Sequence, residues 1–157
     1  MTNIAFNPTP QQRANCERLA VHLSLDVTNK AFDMRSYCSS GQYAHLTLAD
    51  HECGTSACAV GHGPSLGVSV PAGCLDWICY ADEAFGATAM AHDWLFSASW
   101  HHRYPTARDA ADRINYALKH GIPARPWAMM MGTRPLPYSP SRIGADSPSR
   151  QPAKQPA

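Results

Sequence analysis

Hydrophobic and polar positions follow a helical period in two stretches of this chain. In "QQRANCERLAVHLSL", Cys16, Leu19, Ala20 and Leu23 recur at i, i+3, i+4 and i+7, which places one apolar stripe on a helix spanning about 10 to 25 and turns Cys16 toward the core. "PTARDAADRINYALKHGIP" repeats the pattern, with Ala107, Ala110, Ala111, Ile114, Ala117 and Leu118 on the buried face. Thr106 can cap that helix, Asp109 adds negative charge in its first turn, and Gly121 followed by Pro123 ends it. Between the two, "CLDWICYADEAFGATAMAHDWLFSASW" reads as two shorter helices broken near Gly86. Only "SLGVSV" has strand character, and it is short. The pattern predicts an all-α or mostly α fold built as one small helical domain.

With 157 residues, 45% apolar and 16% charged, the chain has the make-up of one ordinary globular domain rather than of a disordered or membrane protein. Its near-neutral total charge hides an asymmetry. Residues 1–121 carry eight Lys/Arg against eleven Asp/Glu, a net of −3, whereas residues 122–157 carry five against one, a net of +4. Eight of the thirteen prolines also fall in 122–157, and "SPSR" occurs twice there, beginning at Ser139 and at Ser147. So much proline prevents helix or sheet ladders. The expected organisation is a helical domain over 1–122, an apolar segment over 123–132, and a disordered, basic, proline-rich tail over 133–157. In the apolar segment Trp127, Met129, Met130 and Met131 either fold back on the body or await a partner.

The first ten residues, "MTNIAFNPTP", have neither the basic nor the apolar region of a signal sequence, and no apolar run approaches the roughly 18 residues of a membrane span. A cytoplasmic protein with no membrane partner is expected. In a reducing compartment Cys16, Cys38, Cys53, Cys58, Cys74 and Cys79 are expected as thiols rather than as a disulfide framework.

Residues 51–64, "HECGTSACAVGHGP", place two cysteines, two histidines and three glycines in fourteen positions. Gly54, Thr55 and Ser56 read as a capped turn feeding a short helix that ends near Gly61 to Pro64. A helix turns about 100° per residue, so Cys58 and His62 share a face, and Cys53 joins them only because it precedes the helix. A zinc site from His51, Cys53, Cys58 and His62 is sterically possible, and Cys74 with Cys79 offers a second pair of thiolates. Yet zinc sites more often use a two-residue gap, and two cysteines five apart within one helix cannot converge. The competing reading is packing. Buried cysteine behaves as a small hydrophobe, and Ala57, Cys58 and Gly61 are small so that their helix can lie close against the alanine face of 106–120. That reading needs no cofactor.

A thiol just ahead of a helix N-terminus also gains nucleophilic character, which makes Cys53 the candidate for catalysis. Asp50 and Glu52 beside it act in the opposite direction, and "CGTSAC" does not match the papain-like Cys-Gly-Ser-Cys-Trp pattern. "GHGPSLG" lacks the preceding strand and the Gly-Lys-Ser/Thr ending of a phosphate loop.

"CGTSACAVGH", followed about thirty residues later by "WLFSASW" and then by "ARDAADRINYALKHGIP", resembles a loose group of small bacteriophage and bacterial proteins. In that group a Cys-Gly-Thr-x-Ala-Cys-x-x-Gly stretch ending in Trp or His precedes a Trp-Leu-Phe segment and an A-x-R-I-x-x-L-x-x-G helix. The resemblance covers about 33–123 and leaves the basic tail unmatched. It implies a context more than a chemistry: a small accessory protein of a phage or prophage, made in the bacterial cytoplasm. His62 stands where the group often has tryptophan, which argues against an essential ligand there.

Three classes of function follow. The first is a non-enzymatic accessory protein acting by protein-protein contacts, for instance on a host factor, through Trp94, Phe96, Trp100 and Tyr104 or through the Trp127 to Met131 segment. Trp94, Phe96 and Trp100 read equally well as core. The second is nucleic-acid association through the basic tail, which predicts binding that weakens steeply with salt. The third is a cysteine-dependent enzyme with Cys53 as nucleophile.

Overall fold

In the computed structural model, which describes residues 2–25, 32–34, 58–104 and 106–138, Thr9 opens helix α1 (Pro10–Ser24) with a reciprocal cap. The Gln12 N–H donates to the Thr9 hydroxyl at 3.3 Å, and the Thr9 N–H donates to the Gln12 side chain at 2.9 Å. Pro10 stands where no N–H partner is needed. The predicted stripe is the buried one, with Cys16, Leu19, Ala20 and Leu23 joined by Asn15.

Helix α2 (Trp77–Phe85) starts at Asp76, whose carboxylate accepts from the Cys79 N–H at 2.7 Å, and stops at Gly86. Helix α3 (Ala89–Phe96) follows, so the break near Gly86 falls where the sequence puts it. At the end of α2 the Gly86 N–H holds the Asp82 carbonyl at 2.7 Å, and α1 supplies further donors to the last carbonyls. Gln12 Nε2 donates to the Asp82 and Glu83 carbonyls at 3.1 Å each, Asn15 Nδ2 to Ala84 at 2.8 Å, and Cys16 Sγ to Phe85 at 3.5 Å. The polar residues beside the apolar stripe of α1 thereby cap a neighbouring helix.

After a 3-10 turn at Ala98–His102 comes α4 (Ala107–His120), opened by a second capping box in which Thr106 and Asp109 exchange hydrogen bonds. Ala107, Ala110, Ala111, Ile114 and Ala117 are buried as the pattern predicts, and Leu118 is half-buried. The small alanine face permits close approach, and α1 is the helix that takes it, in the most extensive pairing among the described elements. At the end of α4 the chain turns through Gly121 (φ 83°) into a two-residue strand, β2 (Ile122–Pro123), antiparallel to β1 (Asn3–Ile4). A Cβ at residue 121 would collide with the Ile4 carbonyl, so only glycine serves at this crossing. The short helix α5 (Pro126–Met130) packs on α3.

The fold is thus mostly helical, as the sequence implies, with three corrections. "SLGVSV" is not a strand. Pro64–Leu66 forms a 3-10 turn, and Val68 pairs with no ladder, its carbonyl accepting instead from the Tyr80 hydroxyl at 2.8 Å. Second, the stretch after Cys58 is not an α-helix against α4. It forms 3-10 turns at Val60–His62 and Pro64–Leu66, and the first of these packs on α2. Glycines at 61, 63 and 67 with Pro64 leave no run long enough for an α-helix. Third, the tail does not begin at residue 133. Thr133 and Arg134 close α5 through N–H groups on the Ala128 carbonyl, and Leu136 and Tyr138 pack against the core.

Candidate functional site

Trp94, Phe96 and Trp100 are core residues, which corrects their reading as partner contacts. Helix α3 and the turn after it deliver them inward. Trp94 Nε1 donates to the Arg113 carbonyl and Trp100 Nε1 to the Asp93 carbonyl, both at 3.0 Å, and the two rings meet edge-to-face at 5.4 Å. Tyr116 and Tyr138 complete the cluster around Trp94, with centroids 5.7 and 6.4 Å away. Tyr104 is half-buried, its ring tilted against Trp100 and covered on one side by the Arg103 guanidinium at 5.4 Å.

Within this cluster lies a residue that the sequence reading passed over. Arg113 is fully buried, its guanidinium 4.6 Å above the Trp100 ring. No well-formed hydrogen bond reaches its three nitrogens, although the Tyr138 hydroxyl stands near enough to favour the charge by hydrogen bonding. Burial pushes the group down to about 10, against the opposing pull of Tyr138, Asp109 and Asp112, so it stays charged at neutral pH. A signal was available: Arg113 lies three residues after Ala110 and four before Ala117, on the apolar face of α4.

Helix α5 divides the Trp127 to Met131 candidates in two. Met129 and Met130 are buried, whereas Trp127 is 56% exposed and Met131 72%. Trp127 and Met131, four residues apart, share the outward face, and Met129, about half a turn round, lies with Met130 on the inward one. Arg103 fixes the unit by donating from Nη1 to the Met129 and Arg134 carbonyls at 2.8 and 2.9 Å, and the Thr133 hydroxyl holds the Ala128 carbonyl. Beside α5 a depression of about 330 Å³ is lined by Thr2, Pro123, Ala124, Arg125, Met129 and Arg134. Both arginines are exposed, so the depression carries positive charge next to the exposed apolar pair.

Of the proposed zinc ligands, His51 and Cys53 lie outside the described residues, and with them the candidate nucleophile. Cys58 and His62 are both buried. His62 meets His22 of α1 with ring nitrogens 3.4 Å apart and has Phe32 stacked at 6.0 Å, a grouping that nothing in the local spacing announces. Burial pushes the His22 pKa down. Among the described residues no three His, Cys, Asp or Glu side chains gather in a way that could hold a metal ion. Cys16 is buried and its thiol is pushed up to about 12 by desolvation, so it is an inert packing residue.

Cys74 and Cys79 are joined as a disulfide, which corrects the expectation that they are thiols. The reason lies in where α2 begins. Cys74 precedes the Asp76 cap while Cys79 is the third helical residue, so the pair straddles a helix start, with Cα atoms 5.5 Å apart.

Among the described residues no helix is long and apolar enough to cross a membrane. Compared with known protein families, with curated proteins and with solved structures, the chain matches none.

Proposed function

We propose that the protein acts through protein-protein contacts and that α5 carries the contact face. The supporting observation is that Trp127 and Met131 point outward from a helix anchored through Met129, Met130 and the Arg103 hydrogen bonds. An exposed tryptophan on a fixed support is the kind of residue that dominates binding energy at interfaces. Arg125 and Arg134 beside it fit a partner whose apolar anchor is ringed by carboxylates. The resemblance to phage and bacterial proteins suggests the setting: an accessory protein meeting a host factor in the bacterial cytoplasm.

The test places a photo-crosslinking residue at position 127 or, as control, at the exposed Lys119, in bacterial cells. The expected result is one dominant protein adduct at 127, absent at 119 and lost when Arg125 and Arg134 are changed to Ser. Equal labelling from both positions, or adducts with nucleic acid alone, would overturn the reading. In the second case binding should also fall steeply with added salt and with removal of the basic residues after 138.

A further inference from the structure

The turn entering α2 is held without its disulfide. The Cys74 N–H donates to the Pro71 carbonyl at 3.2 Å, Asp76 holds the Cys79 N–H at 2.7 Å, and Trp77 between them is buried with its ring edge-on to Tyr80. A cross-link between residues five apart removes far less chain entropy from the unfolded state than one closing a long loop. As a staple the bond is close to redundant.

What the bond adds is chemistry in an accessible place. Cys79 is half-buried where Cys74 is buried, and the bridged loop presents Leu75 and Ile78 at 79% and 60% exposure. An extended peptide can rest on that apolar rim. Cys79 also occupies the third position of a nine-residue helix, where the positive end of the helix dipole favours a thiolate. The Asp76 carboxylate at the cap opposes this and moderates it.

We propose that Cys74–Cys79 is a redox-active disulfide that exchanges with peptide thiols, Cys79 being the sulfur attacked. A thiolate of the reductant bonds to Cys79 Sγ as the bond to Cys74 breaks, and Cys74 leaves as a thiolate and takes up a proton. A second thiolate then attacks the reductant's own sulfur in the mixed disulfide, and Cys79 leaves and is protonated in turn. The chain gains two electrons and two protons, and two reductant thiols become one disulfide. The buried Cys16 thiol, pushed up to about 12, does not compete.

The experiment equilibrates the full chain with glutathione at graded ratios of reduced to oxidised form, alkylates it, and maps each cysteine by mass spectrometry while circular dichroism follows the helices. Cys74 and Cys79 are expected to become alkylated together within the range that glutathione sets, with the helical signal kept. In Cys74→Ser, oxidised glutathione is expected to label Cys79 at least about tenfold faster than it labels Cys74 in Cys79→Ser. A pair that stays oxidised in excess reduced glutathione until denaturant is added, or that loses the helical signal as it is reduced, is a staple and overturns the proposal. Faster labelling at Cys74 would overturn the assignment of the attacked sulfur. The wild-type titration decides the first question even if a serine variant fails to fold.

Discussion

The α1 and α4 pair and the stretch from Cys58 to Asp76 are held by different physics. In the helix pair a repeated apolar face does the work: buried alanines on α4 let α1 come close, and a capping box fixes the start of each helix. In the other stretch no period is sustained for two turns. Glycine, proline, a hydroxyl hydrogen bond and a disulfide shape it residue by residue, and single contacts anchor it, among them the Tyr80 hydroxyl on the Val68 carbonyl and the buried His62 ring against His22. Regular packing spreads its stability over many small contacts, whereas irregular packing concentrates it in a few that cannot be replaced.

The largest effect is expected where the aromatic cluster meets α4. Trp94 is fully buried and its indole N–H is committed to the Arg113 carbonyl, so Trp94→Ala leaves a cavity and removes the second hydrogen bond of a carbonyl already engaged in the α4 ladder. Loss of about 3 to 5 kcal/mol is expected by denaturant titration. A loss below about 1 kcal/mol would mean that the cluster is not a packed core.

One substitution in each region then tests the contrast directly. Ala111→Leu adds bulk to the alanine face and should cost about 1 to 3 kcal/mol, part of which α1 can absorb by shifting along its length. Gly63→Ala adds a single methyl, but that Cβ would stand 2.5 Å from the Tyr80 hydroxyl and 3.0 Å from Phe85 Cζ, both on fully buried rings. The comparison predicts that this one carbon costs about as much as the three-carbon change on α4. If Gly63→Ala is neutral in thermal melts, the irregular stretch yields more easily than its contacts imply.

How far each region was legible in the sequence follows the same division. Helices α1 and α4 could be read because period, cap and stop agree at Thr106, Asp109 and Gly121. The Gly86 break was readable for the same reason. The turns after Cys58 were not, because a 3-10 turn imposes no apolar period and small residues suit a helix face equally well. Cys74 and Cys79 were misread for want of one boundary: their convergence depends on α2 starting at Trp77 and not earlier. The meeting of His22 with His62, forty residues apart, has no local signature at all. On α5 the split between buried Met129 and exposed Met131 depends on the angle at which five residues dock, which composition does not encode.

A smaller effect is expected from pH. Burial holds the pKa of His22 and of His92 below the ordinary value near 6.5, with Asp93 partly opposing it at His92. Above about pH 6.5 both are neutral whether folded or not, and stability is complete. As pH falls below that value the unfolded chain takes up protons first, so stability declines until the folded-state pKa values are passed. At His22 the His62 ring 3.4 Å away adds repulsion if both are charged. Denaturant titrations between about pH 7.5 and 5 should show this decline, and His22→Gln with His92→Gln should flatten it. An unchanged slope in the double variant would assign the decline to other groups.

The smallest change, and the most telling about regular packing, is expected at Arg113. It is the one cation on the buried face of α4, and its guanidinium has no well-formed hydrogen bond, the Tyr138 hydroxyl being the partner that comes near. Its contact with Trp100 returns about 2 kcal/mol at most, while removing a charge from water costs several kcal/mol, so the desolvation cost wins. Methionine keeps the length and the contact with Trp100 and drops the charge. Arg113→Met is therefore expected to leave stability unchanged or raise it by about 1 kcal/mol, whereas Arg113→Ala, which opens a cavity beside Trp100, should lower it. A clear loss in Arg113→Met would reverse the conclusion. The guanidinium would then be making strong hydrogen bonds in solution, and the cluster of Trp94, Trp100 and Tyr138 would be a lined polar site instead of a core that happens to enclose one charge.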